Sequence, residues 1–255
     1  MREIRSKDNR IFKECQKLSQ KKYRDKEGLY LIEGENLIAE VPADDLVYVF
    51  FREGRERQIF DLPDQYIVAD QLFDKLAQTE TSQGILAVVR KPKLTAENLE
   101  QQIQPSDNVV VLDRLQDPGN IGTIIRTAEG AGYKAVVTIK GTGDVFSPKT
   151  IRAAAGSIFR MPVLQVEDNR ALRDLTDRLG KKLVVTGFQT DKYYYDEDLS
   201  RGVALVIGNE GNGVSDELMD MADITVKIPM DGHLESLNAS VAAGILMYET
   251  KRKRD

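Results

Sequence analysis

Short apolar runs alternate with amphipathic stretches along most of the chain. Ile11, Phe12, Cys15 and Leu18 recur near helical spacing among basic residues, which predicts a helix over 10–22. LYLIEG (29–34) reads as a strand ending at Gly34, and LVYVFF (46–51) is a dense β-branched and aromatic run. QYIVAD (65–70) and GILAVVR (84–90) read as two further strands, with helical stretches from Asn36 to Val41 and over 71–77. A small mixed or parallel sheet is expected here. Residues 91–107 are polar and hold Pro92 and Pro105, so the best boundary lies there: a first domain over 1–95, a linker over 96–106 and a second domain over 107–255.

The second part is more regular. Strands are predicted over 108–113, 134–139, 161–166, 182–188, 204–210 and 224–229. Helices are predicted over 120–131, 148–159, 171–179, 216–221 and 236–252. Strands that alternate this strictly with helices imply a parallel sheet covered on both faces.

Composition narrows the class. The chain has 255 residues, 41% hydrophobic and 30% charged, as expected of a soluble globular protein. No apolar run approaches the roughly 18–20 residues of a membrane span, and MREIRSKDNRIFKE lacks the apolar stretch of a secretory signal. One cysteine, Cys15, and one histidine, His233, can build neither a disulfide nor a Cys/His zinc site. No metal is expected, and a reducing cytoplasm is the simplest location. The formal net charge is −5, yet residues 1–28 carry ten Lys/Arg against five Asp/Glu, and the chain ends Lys251-Arg252-Lys253-Arg254-Asp255. Basic ends can grip phosphates, or they can simply be solvated.

Three loops leave the carboxyl ends of predicted strands, where open parallel sheets bind ligands. The first is DPGNIGTIIR (117–126), in which Asn120 suits a helix cap and Arg126 follows about one and two-thirds turns later. The second is IGNEGNGVS (207–215), whose glycines allow close backbone approach. Glu210 in its middle would repel a phosphate and suits a sugar or a cation. It matches neither GxGxxG nor a P-loop, which counts against a dinucleotide enzyme. The third is IPMDGHLESLNAS (228–240), with Ser236 and Asn238 opening the final helix. Taken singly, each loop also reads as ordinary capping, a surface ion pair or a glycine turn. His233 is assigned no role.

Taken together and in this order, the loops resemble the three motifs of the SpoU (TrmH-like) family of the SPOUT superfamily: N-x-G-x-x-x-R, a glycine-rich N/S-E-G-x-G motif, and I-P-M-x-G…S-L-N-x-S-V-A. SPKTIRAAAGSIFRMPV (147–163) is similar to the family's intervening helix and strand. Residues 21–41 and 78–89 resemble its N-terminal substrate-binding domain.

The resemblance implies an α/β protein with a C-terminal parallel sheet tied in a deep trefoil knot, a rare exception to ordinary chain threading, and a small N-terminal α/β RNA-binding domain. It implies a homodimer and transfer of methyl from S-adenosylmethionine to an RNA ribose 2′-hydroxyl, with ribosomal RNA of the 23S type favoured over tRNA. Carried over by position, Gly208, Ile228 and Leu237 would hold the cofactor, with Thr186 and Gly187 nearby. The resemblance gives Arg126 a role in activating the 2′-hydroxyl, as the base itself or as a positioning group. Because a guanidinium holds its proton tightly, orienting the ribose and flanking phosphate and stabilising the developing alkoxide is the favoured role. Asn120, Glu210, Ser236 and Asn238 would position Arg126 and the sugar. Lys21, Lys22 and Arg24 are expected phosphate contacts; Tyr23 is a base stacker or a core residue. A non-catalytic RNA-binding ribosome-assembly factor of the same fold is the alternative.

Overall fold

The structure is a computed structural model and describes residues 1–56, 64–79, 81–187, 190–232 and 236–254. The chain divides into two compact units, residues 1–93 with Phe146–Ile151, and Leu94–Val145 with Arg152–Asp255.

The first unit runs β1 (Arg2–Ile4), α1 (Arg10–Lys17), α2 (Lys21–Glu27), β2 (Leu29–Glu33), α3 (Glu35–Ala39), β3 (Leu46–Arg52), β4 (Gln65–Val68), α4 (Asp70–Phe73) and β5 (Ile85–Arg90). Its sheet has the order β1-β4-β3-β5-β2. It is mixed: β1, β4 and β3 are parallel, and β5 is antiparallel to both β3 and β2. Phe12, Cys15 and Leu18 pack with Phe50, Phe73 and Leu86 in its core.

The single helix expected over 10–22 is two. Asn9 caps α1, its side chain accepting from the N–H groups of Ile11 and Phe12. The chain then breaks after Leu18, and α2 ends at Gly28, whose φ of 63° is a left-handed stop. Arg24 joins the two: its guanidinium donates to Leu18 O at 2.6 Å and Ser19 O at 2.8 Å. β1 is not signalled by periodicity, because only Ile4 of its three residues is buried.

The second unit runs α5 (Ala96–Gln102), β6 (Val109–Leu112), α6 (Pro118–Gly130), β7 (Ala135–Ile139), α7 (Pro148–Ala154, whose first residues group with the first unit), α8 (Ser157–Arg160), β8 (Val163–Val166), α9 (Asn169–Arg178), β9 (Lys182–Thr186), β10 (Val203–Ile207), α10 (Asp216–Asp220), β11 (Ile224–Val226) and α11 (Ala239–Arg254). The stretch expected to be a linker is therefore partly α5, and its Leu99 and Ile103 are buried in this unit's core. The helix expected over 148–159 is interrupted at Ala155, which sits at φ 51°.

The sheet order is β11-β9-β10-β6-β7-β8, and every pairing is parallel. β6, β7 and β10 are buried at every position, as central strands covered on both faces must be. Val109, Val111, Val185 and Val206 face the side covered by Leu99, Leu172 and Leu175. On the alternate face, α6 lies against β7 and α11 against β10. From β6 the chain moves outward through β7 to β8, then returns so that β10 lies between β6 and β9. The direction of travel reverses there, and a crevice opens at the carboxyl ends of β9, β10 and β11.

Candidate active site

That crevice is a cleft of about 860 Å³, lined by residues from the loops after β9, β10 and β11 and by the start of α11. Thr186, Gly187, Gly208, Glu210, Ile228, Ser236, Leu237 and Asn238 all stand on its wall.

The loop after β10 is a tight reversal. Asn209 and Gly213 form an antiparallel bridge, and Asn209 Oδ1 accepts the N–H groups of Gly211 at 2.9 Å and Asn212 at 3.2 Å. Gly208 is pressed into the fold-back: a Cβ there would lie 2.3 Å from Gly213 C and Val214 N. No residue with a side chain fits without moving backbone.

Glu210 reaches from this loop to the one after β6. Its Oε2 accepts Gln116 N at 3.0 Å; its Oε1 accepts Asp117 N at 3.0 Å and Asn120 Nδ2 at 3.1 Å. Asn120 Oδ1 in turn accepts Asn238 Nδ2 at 3.0 Å, and Asn238 Oδ1 accepts Ser240 N at 2.9 Å and Ser240 Oγ at 2.7 Å. A carboxylate only accepts, so each amide in the series has its orientation dictated by the one before it. Three loops far apart in sequence are thereby held in one hydrogen-bonded line. Burial pushes the Glu210 carboxyl up. The hydrogen bonds from Gln116, its own backbone, Asn120 and Asp117 outweigh that and hold it below the ordinary carboxyl range.

Asn120 is not the helix cap expected. Asp117 caps α6, accepting Asn120 N at 2.9 Å, with Pro118 at the first helical position. The buried side chain of Asn120 is thus free to join Glu210 and Asn238. Arg126 also departs from expectation: among the described residues it has no hydrogen bond or ion pair, and it is exposed on α6 outside the cleft wall. Six helical residues turn the chain by about 240° from Asn120 to Arg126, so the two cannot share a face. Asn120, Glu210, Ser236 and Asn238 therefore do not position Arg126 by direct contact within one chain. Ser236 is exposed on the cleft wall, outside the amide line.

In the first unit, Lys21 and Lys22 are exposed on α2, whereas Arg24 is buried. With its guanidinium on the carbonyls that end α1, Arg24 is unavailable to a phosphate and the expectation for it is corrected. Tyr23 is half-buried, with Lys17 Nζ 5.7 Å from its ring centre. His233 lies outside the described residues.

Sequence reading missed a second brace. Asp113 is buried; its Oδ2 accepts Ser215 N at 2.8 Å and its Oδ1 pairs with Arg114 Nη1 at 2.5 Å. Arg114 sits at φ 57°; its Nη2 donates to Asn169 Oδ1 at 3.1 Å and its carbonyl accepts Asn209 Nδ2 at 2.8 Å. An acidic residue at the end of a buried strand was the one available signal.

Residues 107–248 match the model of the SpoU rRNA Methylase family, and residues 9–87 match an MRM3-like substrate binding domain. The chain belongs to the SpoU rRNA Methylase family. Among its SpoU relatives is the 23S rRNA (guanosine(2553)-2′-O)-methyltransferase RlmP of Bacillus subtilis, 37% identical over 98% of this chain and 100% of the relative. The SpoU methyltransferase AviRb of Streptomyces viridochromogenes, solved in complex with AdoMet, superposes with a TM-score of 0.87 at 28% identity, covering 96% of this chain and 98% of that one. An AdoMet-bound rRNA methyltransferase from Sinorhizobium meliloti gives 0.85 at 28% identity, covering 98% and 97%. The motifs that define the SpoU resemblance are thus the loops that build the cleft and its amide line.

Proposed function

We propose that this chain transfers the methyl group of S-adenosylmethionine to a ribose 2′-hydroxyl in ribosomal RNA of the 23S type. The observation that carries the reading is the line Glu210–Asn120–Asn238, which gathers three SpoU motif loops beside one cleft.

The cleft suits the cofactor by size and by donor set. Its volume falls in the range of about 300–1,000 Å³ typical of ligand sites. Ile207, Ile228 and Leu237 offer apolar wall for a purine, and the glycine backbone at 208 and 187 allows close approach. Asp216 and Asp220 on the same wall suit a cationic ligand. Gly208, Ile228 and Leu237, with Thr186 and Gly187, would hold it. When bound, S-adenosylmethionine supplies a methyl group on a positively charged sulfur, ready for displacement.

The chain's own task is to hold the ribose hydroxyl in line and to stabilise the negative charge that grows on its oxygen as the proton departs. Arg126 supplies that stabilisation through the N–H donors of its guanidinium. Ser236 and Asn238 orient the sugar from the cleft wall, and Glu210 and Asn120 keep Asn238 in place.

A second copy would complete the arrangement. Arg126 stands in water on α6, and α11 exposes Val241 and Tyr248, each 51% accessible and two turns apart on one face. These features support a homodimer whose interface brings Arg126 toward a site. The insertion of β10 between β6 and β9 supports the deep trefoil knot expected of the family. Exposed Lys21 and Lys22 are read as phosphate contacts of the first unit. Among the described residues no helix is long and apolar enough to cross a membrane, and a ribosomal RNA substrate would place the chain in the cytoplasm.

The test is transfer of tritium from labelled S-adenosylmethionine to ribosomal RNA lacking this modification. Label should appear in 23S-type RNA as an alkali-resistant dinucleotide, and Arg126→Ala should slow transfer about 100-fold or more. Label confined to tRNA or to a base would overturn the reading. Mixing Arg126→Ala with Asn238→Ala should restore part of the activity if the site is shared between copies.

A further inference from the structure

Tyr193, Tyr194 and Tyr195 stand between β9 and β10, and nothing in the methyl-transfer reading uses them. Their rings are already assembled. Tyr193 and Tyr195 stack with centroids 5.3 Å apart and planes 14° apart, and Tyr194 meets Tyr195 edge-on at 5.1 Å. Lys227 Nζ lies 5.1 Å from the centre of the Tyr193 ring, within cation–π range.

The backbone pins the cluster on two sides. Tyr193 bridges Lys227, Tyr194 N donates to Lys227 O at 3.1 Å, and Lys227 N donates to Lys192 O at 3.0 Å, so the segment extends the sheet beside β11. From α11, Lys253 Nζ donates to the carbonyls of Tyr195 and Glu197, each at 2.6 Å. Lys227 is also a wall of the cleft. The aromatic cluster thus begins where the cleft ends.

This is not core packing, because Tyr195 is 43% exposed. The charges around it select the ligand. Lys192 pairs with Glu197 at 2.9 Å, Lys227 with Asp191 at 3.8 Å, and Arg252 with Glu249 at 2.7 Å. Cations already paired with carboxylates make a poor phosphate grip. What the patch offers is a fixed, uncharged π-face beside the cleft, and the ligand that matches it is a nucleobase.

We infer that the Tyr193–Tyr195 stack is a platform for an unpaired base neighbouring the reacting ribose, with Tyr195 giving the face and Tyr193 and Lys227 supporting it. The inference rests on the reading of RNA as substrate. Every base has a π-face, so such a platform demands a single-stranded neighbour rather than a particular base.

The chain contains no tryptophan, so Tyr195→Trp installs a sole indole at the platform. Titration of that full-length variant with 23S ribosomal RNA should quench its emission, and a fully paired RNA duplex should not. Tyr195→Ala should raise KM for the RNA roughly tenfold, with kcat and the Kd for S-adenosylmethionine within about twofold of wild type. Tyr195→Phe should restore KM, and Tyr195→Leu should not. An unchanged KM in Tyr195→Ala, in a preparation where wild type transfers label, would overturn the platform. So would a variant whose only defect is loss of self-association, which would make the patch a contact between copies. If wild type transfers no label to any RNA, the methylation reading fails. Indole quenching by unpaired RNA then still decides the platform.

Discussion

A methyl group added at Gly208 and one added at Gly187 meet different obstacles on the same cleft wall. At Gly208 the neighbours are backbone atoms at 2.3 Å; at Gly187 the nearest is the end of the Met219 side chain at 2.5 Å. Backbone cannot step aside, whereas a thioether can turn. Gly208→Ala should therefore cost about 2 kcal/mol or more and abolish measurable S-adenosylmethionine binding by calorimetry. Gly187→Ala should cost less than about 1 kcal/mol and keep a folded loop. Equal losses in urea denaturation would show that the fold-back at 208–214 is not the rigid part. Glu210 makes a second residue-level prediction. Its folded carboxyl titrates below the unfolded value of 4.5, so its contribution is complete above that value and disappears as pH falls through the folded value. The stability gap between wild type and Glu210→Gln should hold from pH 8 to pH 6 and close in acid. Because Glu210 is largely exposed, solvent screens the effect, and a gap of about 1 kcal/mol is expected.

Among the elements, α11 begins on a residue with two duties. Asn238 caps it through Ser240 N and Val241 N while donating to Asn120. Loss of the cap alone costs about 1 kcal/mol, and Asn238→Ala also strips Asn120 Oδ1 of its donor. Asn120→Ala and Asn238→Ala should therefore be non-additive in a double-mutant cycle, with a coupling of about 0.5–3 kcal/mol. Simple additivity would mean the amide line carries no cooperative energy. This is also the scale at which sequence and structure part. Strands β6, β7 and β10 are legible because buried parallel strands are continuous apolar runs. The break between α1 and α2 is not, because Arg24 makes it by hydrogen bonding carbonyls five and six residues back, and its charge suggests solvent instead. Ala155 hides the break before α8 for a similar reason: alanine favours helix, yet here it sits at φ 51°.

For the whole molecule, the expected division of labour gives the first unit the RNA backbone and the second the chemistry. Affinity for ribosomal RNA should then fall steeply with salt. Lys21→Ala with Lys22→Ala should flatten that slope without moving S-adenosylmethionine affinity. A salt-independent affinity would remove the first unit from the grip. The order of motifs along the chain announces the SpoU family, yet the geometry that unites them does not follow from spacing. Glu210 meets Gln116 and Asp117 across 94 and 93 residues, and no local pattern encodes that meeting. The sheet order brings the residues together, and the amide orientations then follow from donor and acceptor chemistry.

The chain's one thiol supplies a clock for the first unit alone. Cys15 is buried in the core of the first unit, where burial, with a smaller push from Glu14, drives its pKa up to about 12. A thiol in that state does not react with alkylating reagents. Each alkylation event therefore records one opening of the first unit, whatever the second unit is doing. Iodoacetamide should leave the native chain unmodified at pH 8. The labelling rate in mild urea, compared with the loss of bound S-adenosylmethionine, would time the two units separately: equal midpoints mean one cooperative molecule, and early labelling means the first unit opens first.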